Sequence, residues 1–202
     1  MKLIGRYDSP YVRRVGVSLH VLGLAFEHLP LSPFSQAEEF RKFSAIGRMP
    51  TLVLDNGEVL IESAAILDHL DEIVGPRRSL IPASGAERRK SLRILACATA
   101  ACDKAISINY ERRRPAALIF VDWISRCRTQ LDAALSELES LEMKLDDRQP
   151  LKQIEITVGC MFAYVKRVEP DAVTDGHYPC LDRLSAACET RQQFRLVTNN
   201  LT

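Results

Sequence analysis

Arg48-Met49-Pro50-Thr51-Leu52-Val53-Leu54, then the pair Asn56-Gly57, then Glu62-Ser63-Ala64-Ala65-Ile66, form the stretch on which the fold of this chain turns. Proline has no N–H to give to a sheet ladder, so Pro50 belongs at the first residue of a strand or in a bend. Thr51 to Leu54 supply the β-branched and apolar side chains of that strand. Asn-Gly between two short strands is a strong hairpin signal. A cis Met49-Pro50 bond turns the Met49 backbone outward, leaving its N–H and C=O for an extended, peptide-like ligand. Ser63 opens a helix, where free amides and the helix dipole attract a carboxylate. Together these features describe a socket for a small anionic peptide.

Before this stretch, strand and helix signals alternate. Residues 2–7 read as a short strand. Pro10 to Leu22 has helical spacing, with Val12, Val15, Leu19 and Leu22 on one side and Gly23 as the stop. Residues 26–30 read as a second strand and 35–43 as a short helix. Strands at 51–54 and 58–61 and a helix at 63–73 complete a β-α-β-α-β-β-α order, a mixed sheet with helices on its faces. The turn residues of 75–82 mark a linker. Beyond it no good strand signal occurs. Residues 86–113 and 115–145 read as long amphipathic helices, with Pro115 in the first turn of the second. Leu131, Leu135, Leu138, Leu141 and Leu145 recur at spacings of three and four, as one buried stripe requires. Further helices are expected at 154–168 and 178–188, followed by an irregular tail. The division is therefore 1–76, a linker at 77–85, and an all-helical bundle at 86–202.

Composition excludes several classes of function. The chain has 202 residues and a formal net charge of +1, with its 27 basic residues spread along it. Neither nucleic acid nor a membrane surface finds an electrostatic footprint here. No window approaches a membrane-spanning run and the N-terminus lacks a signal-peptide core, so a cytoplasmic location is expected. The six cysteines have no CxxC spacing and the four histidines stand apart, which speaks against a disulfide framework or a metal centre. The cysteines read as small buried apolar residues.

Three motifs in register, Ser9-Pro10-Tyr11-Val12-Arg13-Arg14-Val15, Ser44 to Leu52 and Leu60 to Leu67, resemble the cytosolic glutathione transferase family, in its bacterial type with a serine at the first strand–helix turn. The resemblance covers nearly the whole chain. It implies a thioredoxin-like N-terminal domain that binds glutathione as co-substrate, an all-helical C-terminal domain, a homodimer, and no metal. It further implies that Ser9 hydrogen-bonds the glutathione sulfur and favours the thiolate. Read by itself, without the other two motifs, Ser9 is better explained as a helix cap. Tyr7 and Tyr11 are rival donors. Glu62 would meet the glutathione ammonium and Ser63 the α-carboxylate, with Met49 and Pro50 at the cysteinyl unit. Arg48 would lie near the glycyl carboxylate, and Phe34 would wall the site. A small apolar electrophile is expected between the domains, near Tyr11, Tyr110, Arg113 and Arg114. Asp103 on the same helix is a candidate to reach across a dimer interface. Cys102 beside it, inside a helix and without a basic partner, reads as packing.

The chain departs from the family at Ser44-Ala45, where Asn-Pro is usual, and at Lys152-Gln153-Ile154-Glu155, where a Ser/Thr-x-x-Asp cap is usual. Lys152 offers no acceptor, so a weaker bundle or a cap from a neighbour is expected. The leading functional reading is conjugation of glutathione to an electrophile. A glutathione-dependent isomerase or dehalogenase, or a non-enzymatic binding protein on the same scaffold, are the alternatives. A thiol reductase is disfavoured by serine, rather than cysteine, at position 9.

Overall fold

A computed structural model describes residues 1–146, 148–174 and 176–198. The chain starts with β1 (Lys2–Ile4), α1 (Pro10–Leu22), β2 (Glu27–Leu29) and α2 (Ala37–Arg41). Then come β3 (Thr51–Val53), β4 (Val59–Ile61) and α3 (Ser63–Val74). The four strands make one sheet in the order β2-β1-β3-β4. β1 pairs parallel to β2 with Leu3 opposite His28, and antiparallel to β3 with Leu3 opposite Leu52. The hairpin pairs Leu52 with Leu60, as Asn56-Gly57 forecast, and the Asn56 side chain accepts the Glu58 N–H at 3.0 Å. This is the expected thioredoxin-like arrangement, followed by an all-helical C-terminal domain: α4 (Gly85–Glu111), α5 (Val121–Ser140), α6 (Gln153–Val168), α7 (Pro179–Thr190) and α8 (Gln192–Arg195).

α1 is the central helix. Ser9 caps it in extended conformation, Pro10 opens it, and Gly23 closes it in the left-handed region at φ 65°. It packs on α3 on one side and on α6 on the other, so it is buried nearly all round. The strand before it is shorter than the sequence suggests, because the chain leaves the sheet at Gly5. There φ is 131°, and a Cβ would meet the Val12 side chain at 2.7 Å. Only glycine satisfies both constraints.

Three expectations about the helical part are corrected. The run at 115–145 is not one helix: Pro115 precedes a 3₁₀ turn at Ala116–Leu118, and α5 begins at Val121. Glu111 at the end of α4 holds the break, its carboxylate accepting the Phe120 N–H and an Arg114 N–H, each at 2.9 Å. At the other end α5 stops at Ser140, so Leu131, Leu135 and Leu138 are buried while Leu141 is largely exposed and Leu145 lies past the helix. The tail is not irregular within the described residues. α8 seats Phe194, fully buried, against Gly159, and Val197 is fully buried too. Burying one such side chain contributes roughly 1.5–3 kcal/mol. Arg13 of α1 grips the same end: it makes two 2.6 Å bonds to Glu189, a 3.2 Å bond to the Val197 carbonyl, and lies over the Phe194 ring.

At the start of α6, half of a capping box is present. The Lys152 N–H donates to the Glu155 carboxylate at 2.7 Å, and the adjacent Gln153 N–H is taken by the Leu80 carbonyl of the linker at 3.1 Å. The neighbour-supplied cap is thus found. Of the cysteines, Cys102, Cys127, Cys160 and Cys188 are buried, whereas Cys97 and Cys180 are half-buried. Burial pushes the thiols of Cys160 and Cys188 up to about 12. Among the described residues, no helix is long and apolar enough to cross a membrane, and no group of side chains suits a metal ion.

Candidate functional site

The bend before β3, the first turn of α3, the N-terminal part of α1 and the middle of α4 enclose a cavity of about 430 Å³. Arg48, Met49, Glu62 and Ser63 line it, four of the residues expected at a glutathione site, together with Tyr11, expected near the electrophile. Arg14, Thr99, Asp103 and Gln153 line it too. Ser9, Phe34, Pro50, Tyr110, Arg113 and Arg114 are not among its lining residues.

The bend is fixed locally. The Met49-Pro50 bond is cis. The Thr51 hydroxyl donates to the Arg48 carbonyl at 3.0 Å, and Ser44 reaches the same oxygen at 3.4 Å. Among the described residues no protein group hydrogen-bonds the Met49 N–H or C=O. Next to it, Glu62 holds φ 68° and ψ 123°, a conformation that non-glycine residues rarely adopt. Strain of this kind persists where the surroundings fix it, most often at binding sites. Here it delivers Ser63 into the first turn of α3 and leaves the Glu62 side chain half-exposed, paired with Arg48 at 3.0 Å across the mouth. Such an exposed pair contributes at most about 1 kcal/mol.

Ser63 is only 1% exposed, and Arg14 is its partner: Nη2 donates to Ser63 Oγ at 2.7 Å. Arg14 is itself 4% exposed, and its Nε lies buried without a hydrogen-bond partner among the described residues. No carboxylate there stands within ion-pair reach of it, and burial lowers its pKa. Its guanidinium lies over the Tyr11 ring at 5.7 Å. The Tyr11 hydroxyl donates to Asp103 Oδ1, joining α1 to α4 within the same chain. Burial, then Cys102 and Asp103, raise the Tyr11 pKa, so its proton stays on the phenol. Asp103 therefore serves its own chain's cavity wall.

Ser9, 8% exposed, lies just before this wall, and its Oγ accepts the Val12 N–H at 3.5 Å. That contact is a weak cap, and it leaves the hydroxyl proton uncommitted. Tyr7 stacks on His28 at 3.9 Å outside the cavity, with burial pushing its pKa up to about 12. Phe34, Tyr110 and Arg113 meet separately. The Phe34 and Tyr110 rings touch edge to face at 6.4 Å, and Arg113 lies over Tyr110 at 5.6 Å. Both rings face solvent, Phe34 at 73% and Tyr110 at 48% exposure. Arg114 is held by Glu111 on its own helix end.

Arg14 and Gln153 are the site residues that reading the sequence missed. A second arginine after Arg13 looks like surface charge. The available signal was the stripe Tyr11, Arg14, Ser18, at spacings of three and four on a helix whose other faces are apolar. In the structure the Ser18 hydroxyl donates to the Arg14 carbonyl at 2.7 Å and lies 3.1 Å from the Gln153 side-chain amide.

A family model for the glutathione S-transferase N-terminal domain matches residues 3–78. The uncharacterized GST-like protein YibF of Escherichia coli K12 is 28% identical over 200 residues, 96% of each chain. A crystal structure of a glutathione S-transferase from Methylobacterium radiotolerans, in complex with glutathione sulfonate, superposes with a TM-score of 0.88 at 26% identity. It covers 100% of this chain and 95% of that one. Maleylacetoacetate isomerase of Pseudomonas aeruginosa is 36% identical over 77 residues, 36% of either chain.

Proposed function

We propose, from the match of residues 3–78 to the glutathione S-transferase N-terminal domain and the full-length likeness to glutathione S-transferases, that the chain is a member of that family, binds glutathione in this cavity and joins the thiolate to a small apolar electrophile. The observation that carries the reading is the buried Ser63 hydroxyl at the first turn of α3, in one cavity with the unpaired main chain of Met49. An α-carboxylate docks on Ser63 and the free amides of that turn. Glu62 meets the ammonium, Met49 pairs main chain with the cysteinyl unit, and Arg48 stands toward the glycyl carboxylate. In the same reading residues 1–76 form the glutathione-binding domain and residues 86–202 the helical one.

Ser9 directs its free proton at the sulfur. A free thiol has a pKa near 8.5, so at neutral pH most of it is protonated and unreactive. A hydroxyl donor beside the positive end of α1 favours the anion. The electrophile rests against Phe34, Tyr110 and Arg113, and rate comes from thiolate stabilisation and orientation of two bound reactants. We place the protein in the cytoplasm as a homodimer with a role in detoxification. Isothermal titration with glutathione and turnover of a chloro-nitro aromatic test the reading. Binding with measurable conjugation is expected, and absence of binding overturns it.

The identity to maleylacetoacetate isomerase over 77 residues favours one second reading, a glutathione-dependent isomerisation with the same thiolate. Binding of glutathione without conjugation of the aromatic, but with cis–trans isomerisation of an unsaturated diketo acid, selects it.

A further inference from the structure

Resting on the glutathione reading, we propose that the second reactant carries a carboxylate on its apolar body, and that Arg113 and Arg167 recognise it. The two arginines bound an aromatic arc that begins beside Ser9. Arg167 of α6 donates from Nη2 to the carbonyl of Asp8, the residue before Ser9, at 2.7 Å, and its guanidinium lies over the Tyr164 ring at 5.1 Å. The Tyr164 hydroxyl meets Asn109 and stands near Tyr110 of α4, and burial pushes its pKa up to about 12, so it keeps its proton. Tyr110 touches Phe34 edge to face and carries Arg113 over its own ring at 5.6 Å. The arc therefore runs from the expected place of the sulfur to the open rim, with a cation at each end.

Charge singles out the same two residues. Arg112 pairs with Glu169 and Arg114 with Glu111, yet Arg113 between them has no carboxylate in ion-pair reach among the described residues. Lys166 pairs with Asp182, yet Arg167 beside it has none there either. Asp8 is engaged by Arg6 through Oδ2, and its other oxygen is buried. These acids neutralise the neighbouring cations and spare the two that lie on tyrosines. Both spared arginines are exposed, so a ligand reaches them without opening the fold. A guanidinium stacked on a ring uses its face and leaves N–H groups in its own plane, the geometry in which a carboxylate is held by two parallel bonds. A neutral reactant uses the rings and leaves both guanidinium groups to water. One with a carboxylate uses ring and charge together, and the positive field draws it to the cleft before contact.

The test is isothermal titration with two glutathione conjugates that differ in one group, a nitrobenzoate and the matching nitrobenzamide, each joined through the sulfur. Plain glutathione is the reference ligand. The proteins are the unsubstituted chain, Arg113→Met, Arg167→Met, the pair of these, and Arg167→Lys. The unsubstituted protein should bind the benzoate conjugate about tenfold tighter than the benzamide, and each Met variant should cut that ratio roughly threefold, in the range of one exposed ion pair. The double variant should bring the ratio near one, while Arg167→Lys, which keeps the charge, should hold most of it. Equal losses for the two conjugates mean that the arginines only support the wall, and overturn the inference. If Arg167→Met does not fold, Arg113→Met on the rim still decides, together with the shrinking of the ratio at high salt. Glutathione bound normally, with the two conjugates bound alike or the benzamide preferred, overturns the inference and leaves the glutathione reading standing. Failure of the unsubstituted protein to bind glutathione overturns both.

Discussion

The floor around Ser63 and the rim around Phe34 are built on opposite principles. The floor is polar, buried and specified atom by atom: Arg14 on Ser63, Tyr11 on Asp103, Thr51 on Arg48. The rim is aromatic and open, its rings meeting edge to face with most of Phe34 in water. A buried polar site tolerates few ligands, because every unmatched donor or acceptor costs about 1–3 kcal/mol. An apolar surface discriminates weakly: one methylene is worth only about 10–200-fold, against about 10⁴–10⁵-fold for a hydrogen-bonding group missing from a site built to receive it. Under the proposed function, the contrast teaches that one reactant is prescribed by this chain and the other is only accommodated.

Substitutions can break or sharpen that contrast. The largest effect is expected at Ser9, which the proposed reading sets at the glutathione sulfur. Ser9→Ala should lower kcat about 100-fold while the glutathione Kd moves less than about threefold, because the lost bond matters only to the thiolate. Thiolate absorbance against pH checks the cause: its midpoint must rise, and an unchanged midpoint removes Ser9 from the chemistry. On the floor, Ser63→Ala should weaken glutathione roughly tenfold with little change in kcat. On the rim, Phe34→Ala should raise KM for an aromatic electrophile about threefold, in the range of one aromatic contact, and leave the glutathione Kd alone. A rim substitution that weakened glutathione as much as Ser63→Ala does would erase the distinction. The smallest effect lies behind the floor, where Lys152→Ser supplies the acceptor missing from the α6 cap. About 1 kcal/mol is expected, a melting midpoint higher by roughly 2–4 °C. No rise means that Glu155 and the Leu80 carbonyl already satisfy that helix end.

Much of the fold was legible because its signals are local. Pro50, Asn56-Gly57 and Gly23 each dictate a backbone conformation by their own chemistry, and the β-α-β-α-β-β-α order follows from them. The interruption between α4 and α5 was not legible. Ala116 to Val121 continues an apolar pattern, and the break depends on the Glu111 carboxylate reaching the Phe120 amide, a contact that spacing does not reveal. α8 was missed for the complementary reason. Gln192 to Arg195 is short and polar, and Phe194 is held in by its partners in α1 and α6. In the site, residues carrying a recognisable motif gathered as expected at Met49, Glu62 and Ser63. Arg14 was overlooked because charge in a helix ordinarily means solvent, and only the three-dimensional packing of α1 between α3 and α6 reverses that rule.

The clasp of Arg13 on Glu189 and Val197 has a consequence for the order of biosynthesis. The helix that presents Tyr11 and Arg14 leaves the ribosome early, yet its outer flank stays bare until the polypeptide has been translated past position 197. A nascent chain stalled before Glu189 should thus hold a formed sheet and an unfinished ligand socket, and competence to bind should arrive only once Val197 has been added.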